Sequence, residues 1–401
     1  MRVVLINQYY PPSEAPTGLL LADLGESLAM GGHDVTVICS RRDYTDPERR
    51  FALRERVRGV EVRRARGTGF GRGSRIGRLL DYLSFLVGAA LRLALQRRPE
   101  VVVTLTTPPM LALPALSLAR LKRARFVFWV MDVYPDLAFE LGVLRRGSVV
   151  GRLFERLSRH VLRGSDAVAA LGEPMAEVLR AAGARRVEIV HNWADGEAIV
   201  PLSVEENPLR RECGWQDRFV VLYSGNLGLA HEFETVLCAA ERLRDRPDVL
   251  FAFVGTGPSL ERLRQECRRR GLTNVEFRPW VPHRELGRSL TSGDIHLITL
   301  REGLAGLLVP SKIYGTLAAG RPTVFVGPAN SEITAILREG ECGVHVSPGE
   351  DGALAEAIAA YAVDEPRRLE HGRRARLLFE RRYSGERALR QLTALIEADG
   401  D

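Results

Sequence analysis

Several kinds of protein are excluded by what this chain lacks. Its five cysteines, Cys39, Cys213, Cys238, Cys267 and Cys342, are scattered through 401 residues without a CxxC pair. Neither a disulfide scaffold nor a thiolate zinc site follows from that spacing, and reduced thiols of a cytoplasmic protein do. The eight histidines never fall at metal-ligand spacing, so no metal site is expected. No signal peptide is expected from the opening residues, because Val3 to Ile6 runs straight into polar residues. The longest apolar stretch, Leu79 to Leu95, carries Asp81 and Arg92 and falls short of the ~20 residues that span a bilayer. There is no solenoid-length repeat and no low-complexity segment.

What is abundant is arginine, unevenly placed. Lys and Arg number 57 against 50 Asp and Glu, for a net charge of +7, and sixteen arginines lie between Arg41 and Arg98, on both sides of the Leu79–Leu95 stretch. An apolar helix flanked by arginines suits an anionic inner-leaflet membrane surface. A solvated face beside an ordinary buried helix suits the pattern equally. Nucleic acid is set aside, because the arginines lack interleaved aromatics and no nucleic-acid motif accompanies them.

The apolar runs alternate with helical patterns. RVVLI (2–6) is a continuous run of strand length, as in a parallel strand covered on both faces. A helical pattern stops at Gly31 and Gly32, and DVTVICS (34–40) completes a strand, helix, strand unit of the Rossmann kind. Similar units continue to about residue 190. After the aperiodic, proline-bearing stretch 191–215, a second series begins at FVVLYSG (219–225). The expectation is an α/β protein of two Rossmann-like, doubly wound domains, 1–195 and 196–382, with a closing helix in 383–401 that crosses back to the first. Ligands of two such sheets bind at the carboxyl ends of their strands, in a cleft between them.

Four segments of the second series fall where a strand hands over to a loop. YSGNLGLAH (223–231) places Gly225 and Gly228 directly after a strand, where backbone N–H groups can approach a phosphate. VGTGPS (254–259) repeats the pattern with Gly255 and Gly257, but lacks the third glycine and the downstream acid of a dinucleotide fingerprint. In RPWVPHRE (278–285), Trp280, Val281 and Pro282 can wall a flat base, or simply edge the core. In REGLAGLLVPSKIYGTLAAGRP (301–322), Pro310 and Ser311 open a helix with Ser311 as cap, and Lys312 sits in its first turn. A cation there opposes the helix dipole unless an anion lies in front of it, and diphosphate is the natural occupant.

These segments, with Gly32 to Val35 near the start, resemble the family-four glycosyltransferases of the GT-B fold, in the branch that builds bacterial exopolysaccharide, colanic acid or O-antigen. The resemblance covers nearly the whole chain. It implies a nucleotide sugar, read as a UDP-sugar, bound by the second domain, and a polyprenyl-diphosphate-linked acceptor bound by the first. It further implies retention of configuration and no metal or cofactor; the lack of a DxD motif agrees. On that template Gly225 underlies the donor diphosphate, Gly255 and Gly257 approach the nucleoside, Val281 meets the base, and Ser311 with Lys312 hold the phosphates. Glu302 and Gly303 border the sugar. The chain departs from the template in three places: Asn226 stands for an arginine, His231 for a lysine, and Gly315 for an acid. Glu332 is the substitute expected to meet the ribose, and His231 is expected to assist with a titration between about pH 6 and 8.

On the acceptor side, Asp132 lies just past a buried strand, suited to orient the attacking hydroxyl, with Asp136 four residues on and able to share a helical face. Tyr10 and Gly18 follow the first strand and are expected to border the same cleft. Lys312 and Asp132 are the catalytic candidates. Two other functions fit the pattern less well: a UDP-sugar epimerase of the same fold, and a non-catalytic nucleotide-sugar-binding subunit of a polysaccharide assembly.

Overall fold

The computed structural model describes residues 1–44, 46, 48–70 and 75–398. It divides into two units, Met1–His191 together with the chain from Ala388 onward, and Asn192–Arg387.

The first unit carries the strands β1 (Arg2–Ile6), β2 (Asp34–Ser40), β3 (Arg54–Val57), β4 (Val60–Ala65), β5 (Val101–Leu105), β6 (Arg125–Trp129), β7 (Ala167–Ala170) and β8 (Val187–Ile189). Its helices are α1 (Pro16–Met30), α2 (Arg75–Ala94), α3 (Ala112–Leu121), α4 (Asp136–Glu140), α5 (Val149–Gly164) and α6 (Glu173–Ala181). The sheet order is β3-β4-β2-β1-β5-β6-β7-β8, all parallel except β3, which runs against β4. Continuous apolar strands result because helices cover both faces: β5 is buried at every residue. On one face α2, α3 and α5 bury Phe85, Ala89, Leu93, Ala115, Leu116 and Val161 against Val4, Val102 and Phe126. Phe85, Ala89 and Leu93 recur every four residues, so α2 has a single core-facing stripe.

β3 is the element that the sequence pattern did not disclose. Its residues alternate between exposed and half-buried, and it is held by charge as much as by its ladder: Arg54 and Arg63 both pair with Glu61, and the buried Arg64 pairs with Glu55. Part of the arginine excess is therefore structural, a correction to reading the whole Arg41–Arg98 run as a surface for anions. Arg72 and the side chains of Arg75 and Arg78 lie outside the described residues.

The second unit carries β9 (Phe219–Ser224), β10 (Val249–Val254), β11 (Val275–Arg278), β12 (Ile295–Thr299), β13 (Thr323–Val326) and β14 (Gly343–Val346). Its helices are α7 (Pro208–Cys213), α8 (Glu234–Arg242), α9 (Leu260–Arg270), α10 (Leu286–Leu290), α11 (Lys312–Ala318), α12 (Glu332–Gly340), α13 (Asp351–Val363) and α14 (Glu365–Leu378). A last helix, α15 (Gly385–Glu397), returns the chain to the first unit, where Glu397 meets His33 at 2.9 Å and Arg125 donates to the Ile396 carbonyl. The second sheet is wholly parallel in the order β11-β10-β9-β12-β13-β14. That order turns between β9 and β12, which makes their carboxyl ends the switch point where doubly wound sheets hold ligands. A buried pair, Arg210 with Asp294 at 2.7 Å, fixes the start of this unit beneath its sheet, Arg210 also donating to the carbonyls of Trp215 and Ser292.

Among the described residues no helix is long and apolar enough to cross a membrane.

Candidate active site

The switch point of the second sheet is occupied by an ammonium. Lys312, at the start of α11 in the connection after β12, reaches back to β9 with its Nζ 3.6 Å from the centroid of the Tyr223 ring. A Cβ built on Gly225, the residue after β9, would meet the Lys312 Cε at 3.5 Å and Nζ at 3.8 Å. The nitrogen is buried and, among the described residues, has no hydrogen-bond partner. Burial accordingly holds its pKa well below the usual lysine range. A buried cation without an anion is a costly arrangement, and the Tyr223 face offsets only part of that cost.

Around it the loop 225–231 is built with care. The Tyr223 hydroxyl donates to the Asn226 carbonyl at 2.8 Å, and the Leu227 amide donates to the Thr256 carbonyl, so the loops after β9 and β10 are tied together. Gly255, at φ 155°, sits where any Cβ would fall 2.0 Å from the Gly225 carbonyl oxygen. Gly255 and Gly257 thus serve first to let these two loops cross. A Gly255→Ala variant should lose binding of UDP altogether while the rest of the unit still folds, because the collision is with backbone and cannot relax by a rotamer change; titration of UDP into the variant checks it, and unaltered affinity contradicts it.

His231 faces the same ammonium. Its Nδ1 lies 2.8 Å from the Thr299 carbonyl, which makes Nδ1 the protonated donor and leaves Nε2 as the acceptor. Burial, and then the charge of Lys312, push its pKa down to about 3. His231 is therefore neutral through the physiological range, which corrects the expectation of a titration between pH 6 and 8. Ser311 is likewise corrected as a cap: it is exposed, and its side chain makes no capping bond.

The other expected donor residues are distributed as follows. Asn226 is exposed at the rim of the loop. Glu302 and Gly303 are exposed on the connection after β12, whose Arg301 amide donates to the Ala230 carbonyl, so that segment lies alongside the 225–231 loop. Val281 packs against the Trp215, Val220 and Leu222 cluster, in keeping with its alternative reading as an edge of the core, and Trp280 beside it is the ring left exposed. Glu332 is buried in the first turn of α12, with Tyr314, Tyr383 and Arg382 among its electrostatic neighbours. A Cβ on Gly315 would lie 2.8 Å from the Leu290 Cδ1, so Leu290 takes the room that an acid there would use.

In the first unit, Asp132 follows β6 at the carboxyl edge of its sheet. The Thr106 Oγ1 accepts from the amides of both Met131 and Asp132 at 3.3 Å, fixing the turn. Asp132 shares a small pocket with Thr106, Phe128, Tyr134 and Ser158, whose free interior of ≈ 40 Å³ is room for a few water molecules. Burial alone pushes the Asp132 carboxyl up to about 6, with no cation among the described residues opposing the rise. Asp136 does not share its face: it begins α4 and pairs with Arg146 at 2.9 Å, the arrangement of a structural helix-start acid. Tyr10 is also corrected. It is 2 % exposed, with its hydroxyl under Gly25 of α1, because the loop after β1 folds inward to cover the core. Gly18 lies against the Tyr9 carbonyl, where a Cβ would come within 2.9 Å, and acts in packing.

Sequence reasoning passed over Tyr223, Thr299 and Thr106. An aromatic at a strand end reads as core, and the only local hint was its position immediately before the Ser-Gly turn. Among the described residues no group of three His, Cys, Asp or Glu side chains could hold a metal ion.

Comparison with known proteins converges on one family. Residues 18–193 match a glycosyl transferase 4-like domain, and residues 218–364 match glycosyl transferases group 1. The chain is 28% identical over 264 residues to a probable glycosyltransferase WbjE of Pseudomonas aeruginosa, spanning 65% of this chain and 66% of that protein. It is 28% identical over 351 residues to a putative colanic acid biosynthesis glycosyl transferase, WcaI, of Escherichia coli, covering 83% of this chain and 85% of that one. Among solved structures, Anabaena Alr3699/HepE in complex with UDP and glucose superposes with a TM-score of 0.75 over 98% of this chain and 99% of its own, at 16% identity. With two matched domains, two doubly wound sheets and a cationic switch point, the chain belongs to the family-four glycosyltransferases of the GT-B fold.

Proposed function

We propose that the protein transfers a sugar from UDP to a polyprenyl-diphosphate-linked glycan, with retention of configuration and without a metal, in the assembly of a cell-surface polysaccharide. The observation that carries this reading is the buried Lys312 ammonium, without a partner among the described residues, at the switch point of the second sheet. Asn226 and His231 supply no charge there, so Lys312 is the cation that meets the diphosphate and stabilises it as it departs. Gly225 admits the phosphate, Trp280 and Val281 flank the base, and Glu332 meets the ribose. The colanic acid relative supports a polysaccharide product, and the neighbour crystallised with UDP and glucose supports the nucleotide.

The acceptor is assigned to the first unit, where Asp132 orients its hydroxyl. The same unit exposes Leu79, Leu83, Val87 and Leu91 along α2 and Leu95 just past its end, a row at four-residue spacing that suits adsorption to an anionic inner leaflet. Titration of the full chain with UDP, UDP-glucose and UDP-GlcNAc, followed by assay for transfer to a lipid-linked acceptor, tests the reading. Binding with transfer supports it. Conversion of UDP-GlcNAc alone would identify an epimerase, and binding without turnover on any acceptor would identify a non-catalytic subunit. Sedimentation with phosphatidylglycerol vesicles should weaken steeply between low and physiological salt, and retention at high salt speaks against adsorption by charge.

A further inference from the structure

The exposed side of α2 has two distinct parts. Leu80, Leu83, Val87 and Leu91 line an open groove whose other wall is the segment Arg66, Thr68 and Phe70, while Leu79, and Leu95 just past the helix end, are exposed on either flank of that row. This wall is constructed. Asp81, the charge that disfavours a spanning helix, accepts from the Thr68 hydroxyl at 2.8 Å and from the Phe70 amide at 3.0 Å. The Ser84 hydroxyl accepts from the Thr68 amide at 3.0 Å. Gly88 lets the Arg66 carbonyl approach the helix, since a Cβ there would come within 2.9 Å of it. The result fixes the Phe70 ring in solvent, 62% exposed, opposite a row of exposed leucines. A fixed, exposed aromatic opposite a row of exposed leucines makes a contiguous apolar surface of the kind that marks an interaction site.

We propose that this groove holds a single isoprenoid chain, that of the lipid carrying the acceptor. A convex stripe meets a bilayer, whereas a shallow groove with α2 on one side and the 66–70 segment on the other can seat one chain along the helix. From Leu80 to Leu91 it runs roughly 16 Å along α2. Its one carboxylate is engaged by the wall, whereas Arg66 is exposed at the groove and has no acidic partner among the described residues, so the head of the occupant is anionic. The segment 66–70 leaves the carboxyl end of β4, and Asp132 leaves the carboxyl end of β6 in the same parallel sheet, which places the groove on the edge where the acceptor hydroxyl is oriented. The inference rests on the reading of the acceptor as lipid-linked, and adds where its chain is held.

Farnesyl diphosphate, a soluble prenyl chain of comparable reach, is the probe. Titrated into the full chain it should bind saturably, and Leu83→Gln and Phe70→Ala should each weaken it on the order of ten-fold. Arg66→Gln should weaken it similarly. The paired change Leu79→Gln with Leu95→Gln should leave farnesyl diphosphate binding intact while reducing sedimentation with phosphatidylglycerol vesicles. UDP binding and circular dichroism, unchanged in all four variants, show that they fold. The proposal is overturned if inorganic diphosphate binds as well as farnesyl diphosphate, if the groove variants bind the prenyl probe normally, or if the paired variant loses farnesyl diphosphate binding as far as the groove variants do. A failure of the glycosyltransferase reading would appear separately, as absence of UDP binding in the unaltered protein.

Discussion

Lys312→Met should lower sugar transfer by roughly 10² to 10³ and at the same time raise the thermal midpoint of the unliganded protein. The two effects share one cause. The Lys312 nitrogen is buried over Tyr223 without an anion among the described residues, and burial depresses its pKa. A base with a depressed native pKa makes the unfolded state bind more protons, so stability rises with pH from the native pKa towards the unfolded value of about 10.4 and is deficient at neutral pH. Methionine keeps the stem and removes the charge, so the deficit disappears. When diphosphate is present the sign reverses, because the ammonium then has its partner. UDP should raise the midpoint of the parent strongly and that of Lys312→Met little. Measured turnover and paired melting curves, with and without UDP, decide the matter. Near-normal turnover, or a variant destabilised without ligand, would remove Lys312 from the phosphate site.

The sheets were legible in the sequence because buried parallel strands leave unbroken apolar runs. RVVLI, EVVVTL and FVVLYS needed no tertiary information, and two successive series of such runs imply two doubly wound units. β3 was not legible, since Arg54–Val57 is an edge strand whose own charges, Arg54 and Glu55, pair with Glu61 and Arg64 of β4. The candidate site divides in the same way. Lys312 was conspicuous as a cation in a first helical turn, but its contact with Tyr223 spans 89 residues of chain and has no local signature. Ser311 follows the cap pattern, yet its backbone is already helical and its hydroxyl is free to face solvent. Tyr10 and Asp136 share a limit of another kind: position in the chain placed them near a strand end, and only packing against Gly25 or pairing with Arg146 shows that they turn away. Asp81 is the most instructive, since the charge that argued against a membrane span is the group that holds the Phe70 segment on α2.

Asp132→Asn should reduce transfer by roughly 10² or more while leaving UDP affinity unchanged, and should flatten the pH dependence of what remains. Asp132 lies in a pocket with Thr106, Tyr134 and Ser158, and burial raises its carboxyl to about 6. As the group that accepts the hydrogen bond of the attacking hydroxyl it must be ionised, so transfer by the parent should fall as pH drops through about 6. The stability consequence runs in the opposite direction from that of an ion-paired aspartate. Between about pH 4 and 6 the native state holds a proton that the unfolded state has released, so stability decreases as pH rises through this window. Above it the ionised group costs on the order of 3 kcal/mol. Asparagine carries no such cost, and the variant should melt higher than the parent at pH 8 and by a smaller margin at pH 5. His231, held neutral by burial and by Lys312, contributes nothing to either profile above about pH 5, which makes the limb near pH 6 diagnostic of Asp132. Rate profiles from pH 5 to 8, with melting curves at both ends, provide the measurement. An unchanged rate in Asp132→Asn, or a limb near pH 6 that survives the substitution, would assign the acceptor hydroxyl to another residue and leave Asp132 as a buried acid whose cost to the fold has no catalytic return.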